Sequence, residues 1–207
     1  MEKNTVNIAT KNSIKSSLLE ATEAAAKNYY KASGLHLRKG PEYLIVVKAA
    51  DHIIKQFPTL GYQLEVDTKD FRNGKFFDGG YEFDKNFRDG RFDLVLTSKK
   101  TGNPRHIVEF KRTLKGTSLD SDVERIKHVA EAVSDGNRLE SGFLVAVQLR
   151  KQDEELDEPL LESRVERFEE LLEHKFKISA EFNSLGKGKY GCKQDEHILI
   201  VVFKISL

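Results

Sequence analysis

A chain of 207 residues, 39% hydrophobic and 32% charged, has enough apolar material for one sizeable α/β domain. Its 34 lysines and arginines stand against 33 aspartates and glutamates, a net charge of +1. There is thus no overall basic field, and a nucleic-acid partner has to be met by a local patch. No run of about 18 apolar residues exists, so no spanning helix is expected. The opening MEKNTVNIATKNS lacks the apolar stretch of a secretory signal. The single cysteine, Cys192, leaves no partner for an intrachain disulfide or a cysteine-based zinc cluster. Both features make a reducing, cytoplasmic setting the expectation.

Asn12 or Ser13 is placed to cap a first helix that runs to about Tyr30, with Gly34 ending it. A second helix starts in RKGPEYLIVVKAADHIIKQF, with Pro41 at its first turn, a stripe of Ile45, Val46, Ala49 and Ile53, and Pro58 beyond its end. YQLEVD (62–67) and GYEFDKN (80–86) alternate as strands do. RFDLVL and HIVEF are the clearest strands, joined by SKKTGNPR with its Gly102-Asn103-Pro104 turn. Thr117 and Asp120 resemble a capping box. They open a helix with Val123, Ile126, Ala130 and Val133 on one side and Gly136 at its exit. GFLVAVQL (142–149) is apolar almost throughout, as a strand covered on both faces should be. The acidic 150–162 reads as a solvated connection, 163–176 as a helix, and 177–182 and 197–206 as strands joined by the basic loop GKGKYGCKQ. The order implies a mixed sheet with a three-stranded meander, flanked by helices. Three parts are expected: a helical arm over 1–40, a core over 41–149, and an extension of the same domain over 150–207.

The strand HIVEFK carries charge where a core strand should not. Alternation puts Ile107, Glu109 and Lys111 on one face, with Val108 and Phe110 on the other. One of the two register parities brings Asp93, near the start of the preceding strand, to the face of Glu109 and Lys111. Two carboxylates beside one ammonium repel each other unless a divalent cation sits between them. Asp93 and Glu109, with the carbonyl of Phe110, form a hard-oxygen donor set for Mg²⁺ or Mn²⁺. Lys111 beside it could orient or deprotonate a water, or stabilise charge on a phosphate, which is the chemistry of metal-assisted phosphodiester hydrolysis.

GRFDLVL followed by HIVEFKR resembles the Asp-spacer-Glu-x-Lys hairpin of the PD-(D/E)xK nuclease superfamily. The resemblance implies a restriction-endonuclease-like core of helix, three strands, helix and strand over residues 41–149. It also implies Asp93 and Glu109 as metal ligands and Lys111 as the catalytic lysine. Many members carry a glutamate on the first core helix, a place matched here by Glu42. Phe92 stands where the family's namesake proline would be. The implied activity is a Mg²⁺-dependent endonuclease acting on DNA, with RNA not excluded, in defence or DNA processing. A homodimer or a partner subunit would be compatible with it. The rival expectation is a nucleic-acid-binding or assembly module whose centre is inactive.

Arg91, Arg112 and Lys115 flank the centre, and Arg38 and Lys39 precede the Glu42 helix, all with the charge that phosphate contacts require. Asp122 and Arg125 read as an intrahelical ion pair. None of the six histidines has metal-pair spacing, and the glycines and lysines of LGKGKYG lack the phosphate-loop pattern.

Overall fold

The structure is a computed structural model, and it describes residues 8–72, 90–132, 139–151 and 157–207. Helix α1 (Lys11–Ser33) is capped by Thr10, not by Asn12 or Ser13. The Thr10 side chain accepts from the Ser13 N–H while Ser13 returns a bond to the Thr10 backbone. Gly34 closes the helix at φ 71°, a left-handed conformation that glycine adopts without steric cost. A short 3-10 turn (Leu37–Lys39) leads to Pro41, which precedes α2 (Glu42–Gln56). The expected stripe of α2 is buried, joined by Ala50.

Strand β1 (Leu60–Asp67), the one-turn α3 (Thr68–Arg72), β2 (Arg91–Ser98), β3 (Pro104–Lys111), α4 (Ser118–Ala132) and β4 (Ser141–Arg150) follow. The last elements are α5 (Asp157–Leu171), β5 (Lys177–Leu185) and β6 (His197–Ser206). The strand expected at 80–86 lies outside the described residues, as does Val133. One six-stranded sheet has the order β1-β2-β3-β4-β6-β5. Among the described strands only the β3–β4 pair is parallel, with α4 in the crossover, so the sheet is mixed.

Alternation along the strands divides the core into two layers. Val108, Phe110, Phe143 and Val145 pack on one face with Ile14 and Leu18 of α1 and Ile45, Ala49 and Ile53 of α2. Ile107, Leu144 and Ala146 pack on the other with Val123, Ile126 and Val129 of α4 and Leu161 and Phe168 of α5. β4 is buried on both faces, which accounts for its unbroken apolar run. Gly142 permits the close approach of α4: a Cβ there would lie 2.5 Å from Ile126 Cγ2.

The acidic 150–162 stretch is not simply a solvated connection. Helix α5 already begins at Asp157, which is fully buried. Asp157 Oδ2 is 2.9 Å from His197 Nε2, and its Oδ1 is 3.2 Å from Arg150 Nε. That buried ion group ties the start of α5 to β4 and β6. The helix also ends earlier than expected, at Leu171, where Glu173 and His174 take positive φ and turn the chain into β5. Among the described residues no helix is long and apolar enough to cross a membrane.

Candidate functional site

The β2–β3 ladder pairs Leu94 with Val108 and Val95 with Ile107, so Asp93 comes next on the face of Glu109. Pairing stops at Leu94. On the other side β1 pairs Leu64 with Leu94 and Val66 with Phe92, and Glu65 between them has φ 52°. Asp93 therefore sits where both neighbouring ladders are interrupted. Its Oδ2 accepts from the backbone N–H of Phe110 at 2.7 Å, replacing the ladder bond that a regular strand would make. A left-handed non-glycine residue costs on the order of 1–3 kcal/mol, and such strain clusters at functional sites.

Glu109 is 1% exposed and faces the α4 layer. Its Oε1 accepts from Arg125 of α4, whose same Nη2 donates to Asp122 Oδ1 at 2.6 Å. The other oxygen of Asp122 is 3.0 Å from Lys111 Nζ. The charges thus alternate along Lys111, Asp122, Arg125 and Glu109, joining one face of β3 to one face of α4. The i,i+3 pair of Asp122 and Arg125 is present as expected, but both residues also reach across to β3, which their spacing alone did not reveal. Arg125 runs through a narrow slot. Its guanidinium carbon is 5.3 Å from the centre of the Phe92 ring, and a Cβ on Gly90 would lie 2.8 Å from its Nη1.

Glu42 approaches from the opposite layer. It is half-buried, and burial followed by the charge of Asp93 raises its carboxyl above the ordinary value, against the pull of Lys111. Burial also lifts the Glu109 carboxyl well above the usual range, with Arg125 opposing and Asp93 reinforcing. Asp122 is raised by burial against Lys111 and Arg125. Burial works against the charge of Lys111, yet Asp122 and Glu109 more than offset it and hold its pKa above the ordinary value. A lysine held protonated in this way is suited to stabilising negative charge or orienting a water, and not to removing a proton.

Asp93, Glu109, Lys111 and Glu42 are thus brought to one end of the sheet. Of the expected phosphate-binding residues, Arg112 turns inward: its Nη2 donates to the carbonyl of Gly40, and its Nε is 3.8 Å from Glu42. Arg38, Lys39 and Lys115 are exposed, and Arg91 forms an exposed contact with Glu65 at 3.7 Å. Among the described residues no group of three or more His, Cys, Asp or Glu side chains stands together as an ion cage. Mg²⁺ does not need one, since it keeps several waters and takes one or two carboxylates plus substrate phosphate. The donor chemistry of Asp93 and Glu109 fits that pattern.

Neither a protein-family model nor a curated protein sequence matches this chain.

Proposed function

We propose that the chain is a divalent-metal-dependent endonuclease of the PD-(D/E)xK type, acting on DNA in the cytoplasm, in defence or DNA processing. The observation that carries this reading is the break of both ladders at Asp93, beside the buried Glu109 and the charged Lys111. A core fold has no use for three ionisable groups at an interrupted strand end, and burying them is costly. Asp93 and Glu109, with the carbonyl of Phe110, would hold Mg²⁺ or Mn²⁺, and the ion would supply Lewis acidity toward a phosphate and an activated water. Lys111 contributes a fixed positive charge where the phosphorane-like transition state gathers negative charge. Asp122 holds that ammonium in place, and Arg125 holds one oxygen of Glu109. Glu42, raised by burial, feels the charges of Asp93 and Lys111 from the α2 side and in this reading orients water. The restriction-endonuclease-like core corresponds in this reading to α2, the β1–β2–β3 meander, α4 and β4.

The test is a cleavage panel of linear, circular, single-stranded and branched DNA with Mg²⁺, Mn²⁺ or EDTA. Metal-dependent products that EDTA abolishes are expected on at least one substrate. Intact DNA in every metal condition would count against the enzyme.

A second reading, an inactive binding or assembly module, is favoured by one contact: Glu109 already has a cation, Arg125, on its Oε1. Thermal stabilisation by Mn²⁺ that is lost in Glu109→Ala separates the two, because only a working ligand set binds the ion.

A further inference from the structure

The register of the sheet places the β5–β6 loop at the same end as the candidate site. Lys111 at the end of β3 lies opposite Ala146, Arg150 at the end of β4 lies opposite His197, and Leu185 at the end of β5 lies opposite Ile198. The loop between β5 and β6 is packed on the chain around the 3-10 turn. Gly191, at φ 81°, passes so close that a Cβ on it would lie 2.5 Å from His36 N and 2.8 Å from Leu35 C. The 3-10 turn in turn abuts the site, because Arg112 donates to the carbonyls of Arg38, at 3.5 Å, and of Gly40. One continuous surface therefore runs from Glu42 and Arg112 across Arg38 and Lys39 to Lys187, Lys189 and Lys193, and these last five cations are exposed.

The acidic groups on the same loop do not cancel this charge. Glu196 is buried, and its Oε2 accepts from the Lys193 N–H at 3.1 Å, which leaves Asp195 as the exposed acid. Aromatic rings lie among the cations. Tyr190, at φ 53°, meets Tyr30 edge to face with ring centres 6.2 Å apart, and 40% of Tyr30 is open to solvent. Cations that follow a backbone, interleaved with aromatic faces on which bases can stack, are how proteins grip unpaired strands.

We propose that the 3-10 turn and the β5–β6 loop form a ridge that holds a single nucleic-acid strand leading away from the cleavage site, so that the substrate carries an unpaired segment. This rests on the nuclease reading for its substrate. It also explains how a chain of net charge +1 meets DNA, through a patch built from two segments about 150 residues apart in sequence.

The test is fluorescence anisotropy in EDTA with a labelled single strand, the same strand in a duplex, and a forked duplex. Lys187/Lys189/Lys193→Ala is expected to lose about tenfold or more in affinity for single strand and fork. The slope of its salt dependence should fall by roughly two, since each phosphate contact to a single strand contributes about 0.7. Tyr30→Ala should weaken single strand and fork while leaving the duplex unchanged. Wild-type affinity and slope in the triple variant would overturn the ridge. Equal losses on duplex and single strand would overturn the unpaired-strand assignment. Metal-dependent cleavage by wild type alongside unchanged binding by the variants would discard the ridge and keep the nuclease. Lysine-dependent binding with no cleavage in any metal would discard the nuclease and keep a strand-binding surface. Unchanged circular-dichroism melting of each variant shows that its fold is intact.

Discussion

Asp122 on α4 lies 3.0 Å from the ammonium of Lys111 on β3, although the two are eleven positions apart in the chain. Asp122 is also 4% exposed, so its charge is compensated by Lys111 and Arg125 and not by water. This contact makes α4 part of the centre and not merely a cover for the sheet. Asp122→Asn keeps the shape but removes the charge that holds Lys111. On the proposed nuclease reading, activity is expected to fall by about ten- to a hundredfold, the usual loss when a supporting group around a catalytic or metal site is removed. Turnover assays beside a thermal melt check this; wild-type rates would separate Asp122 from the reaction.

Arg125, itself partly exposed, is the counter-charge of the buried Glu109. Arg125→Gln leaves that carboxylate without its cation, and breaking one side of a buried pair typically costs about 3–5 kcal/mol. A marked drop in melting temperature is expected, partly recovered in the double variant with Glu109→Gln, where both charges are gone. Denaturant unfolding of the two singles and the double measures this coupling.

Gly142→Ala tests how closely α4 must lie on the sheet. The added methyl meets Ile126, and overpacking of this kind typically costs about 1–3 kcal/mol. Because α4 carries Asp122 and Arg125, activity should fall along with stability. Denaturant melts and cleavage rates of the same sample report both losses.

The sequence showed the periodic features and missed the convergent ones. The α2 stripe of Ile45, Val46, Ala49 and Ile53 and the alternation of Val108 and Phe110 against Glu109 and Lys111 depend only on local geometry, and both appear in the fold. The parity that sets Asp93 beside Glu109 was one of two choices, and the structure realises it. Asp122 and Arg125 looked self-sufficient at i,i+3 spacing, and nothing local shows that each also has a partner on β3. Asp157 was hidden in an acidic run for the same reason, since Arg150 and His197 reach it from different strands. On the β1 side the ladder break at Asp93 coincides with the positive φ of Glu65, a residue type with no marked preference for that conformation.

His106 provides a pH dependence away from the centre. It is fully buried beside Ser141, with Nδ1 2.8 Å from Oγ, and burial, then Arg105, lowers its pKa to about 3. The unfolded chain takes up this proton near the ordinary value of 6.5, and the folded chain does so only near 3. The neutral-histidine contribution is therefore complete above about pH 6.5 and is lost as pH falls toward 3, by about 1.4 kcal/mol per unit. His106→Gln should show a flatter fall in melting temperature than wild type between pH 6.5 and 5. Parallel curves for the two proteins would contradict this.

The central claim is that Asp93, Glu109 and Lys111 form a hydrolytic centre. The most direct measurement is cleavage of a forked DNA, with a duplex stem and unpaired arms, in Mg²⁺ by wild type and by Lys111→Ala, with melting curves confirming that both are folded. The account predicts shortened product from wild type and none above background from the variant, a loss of about a hundred- to a thousandfold. Equal cleavage by the two proteins would contradict it.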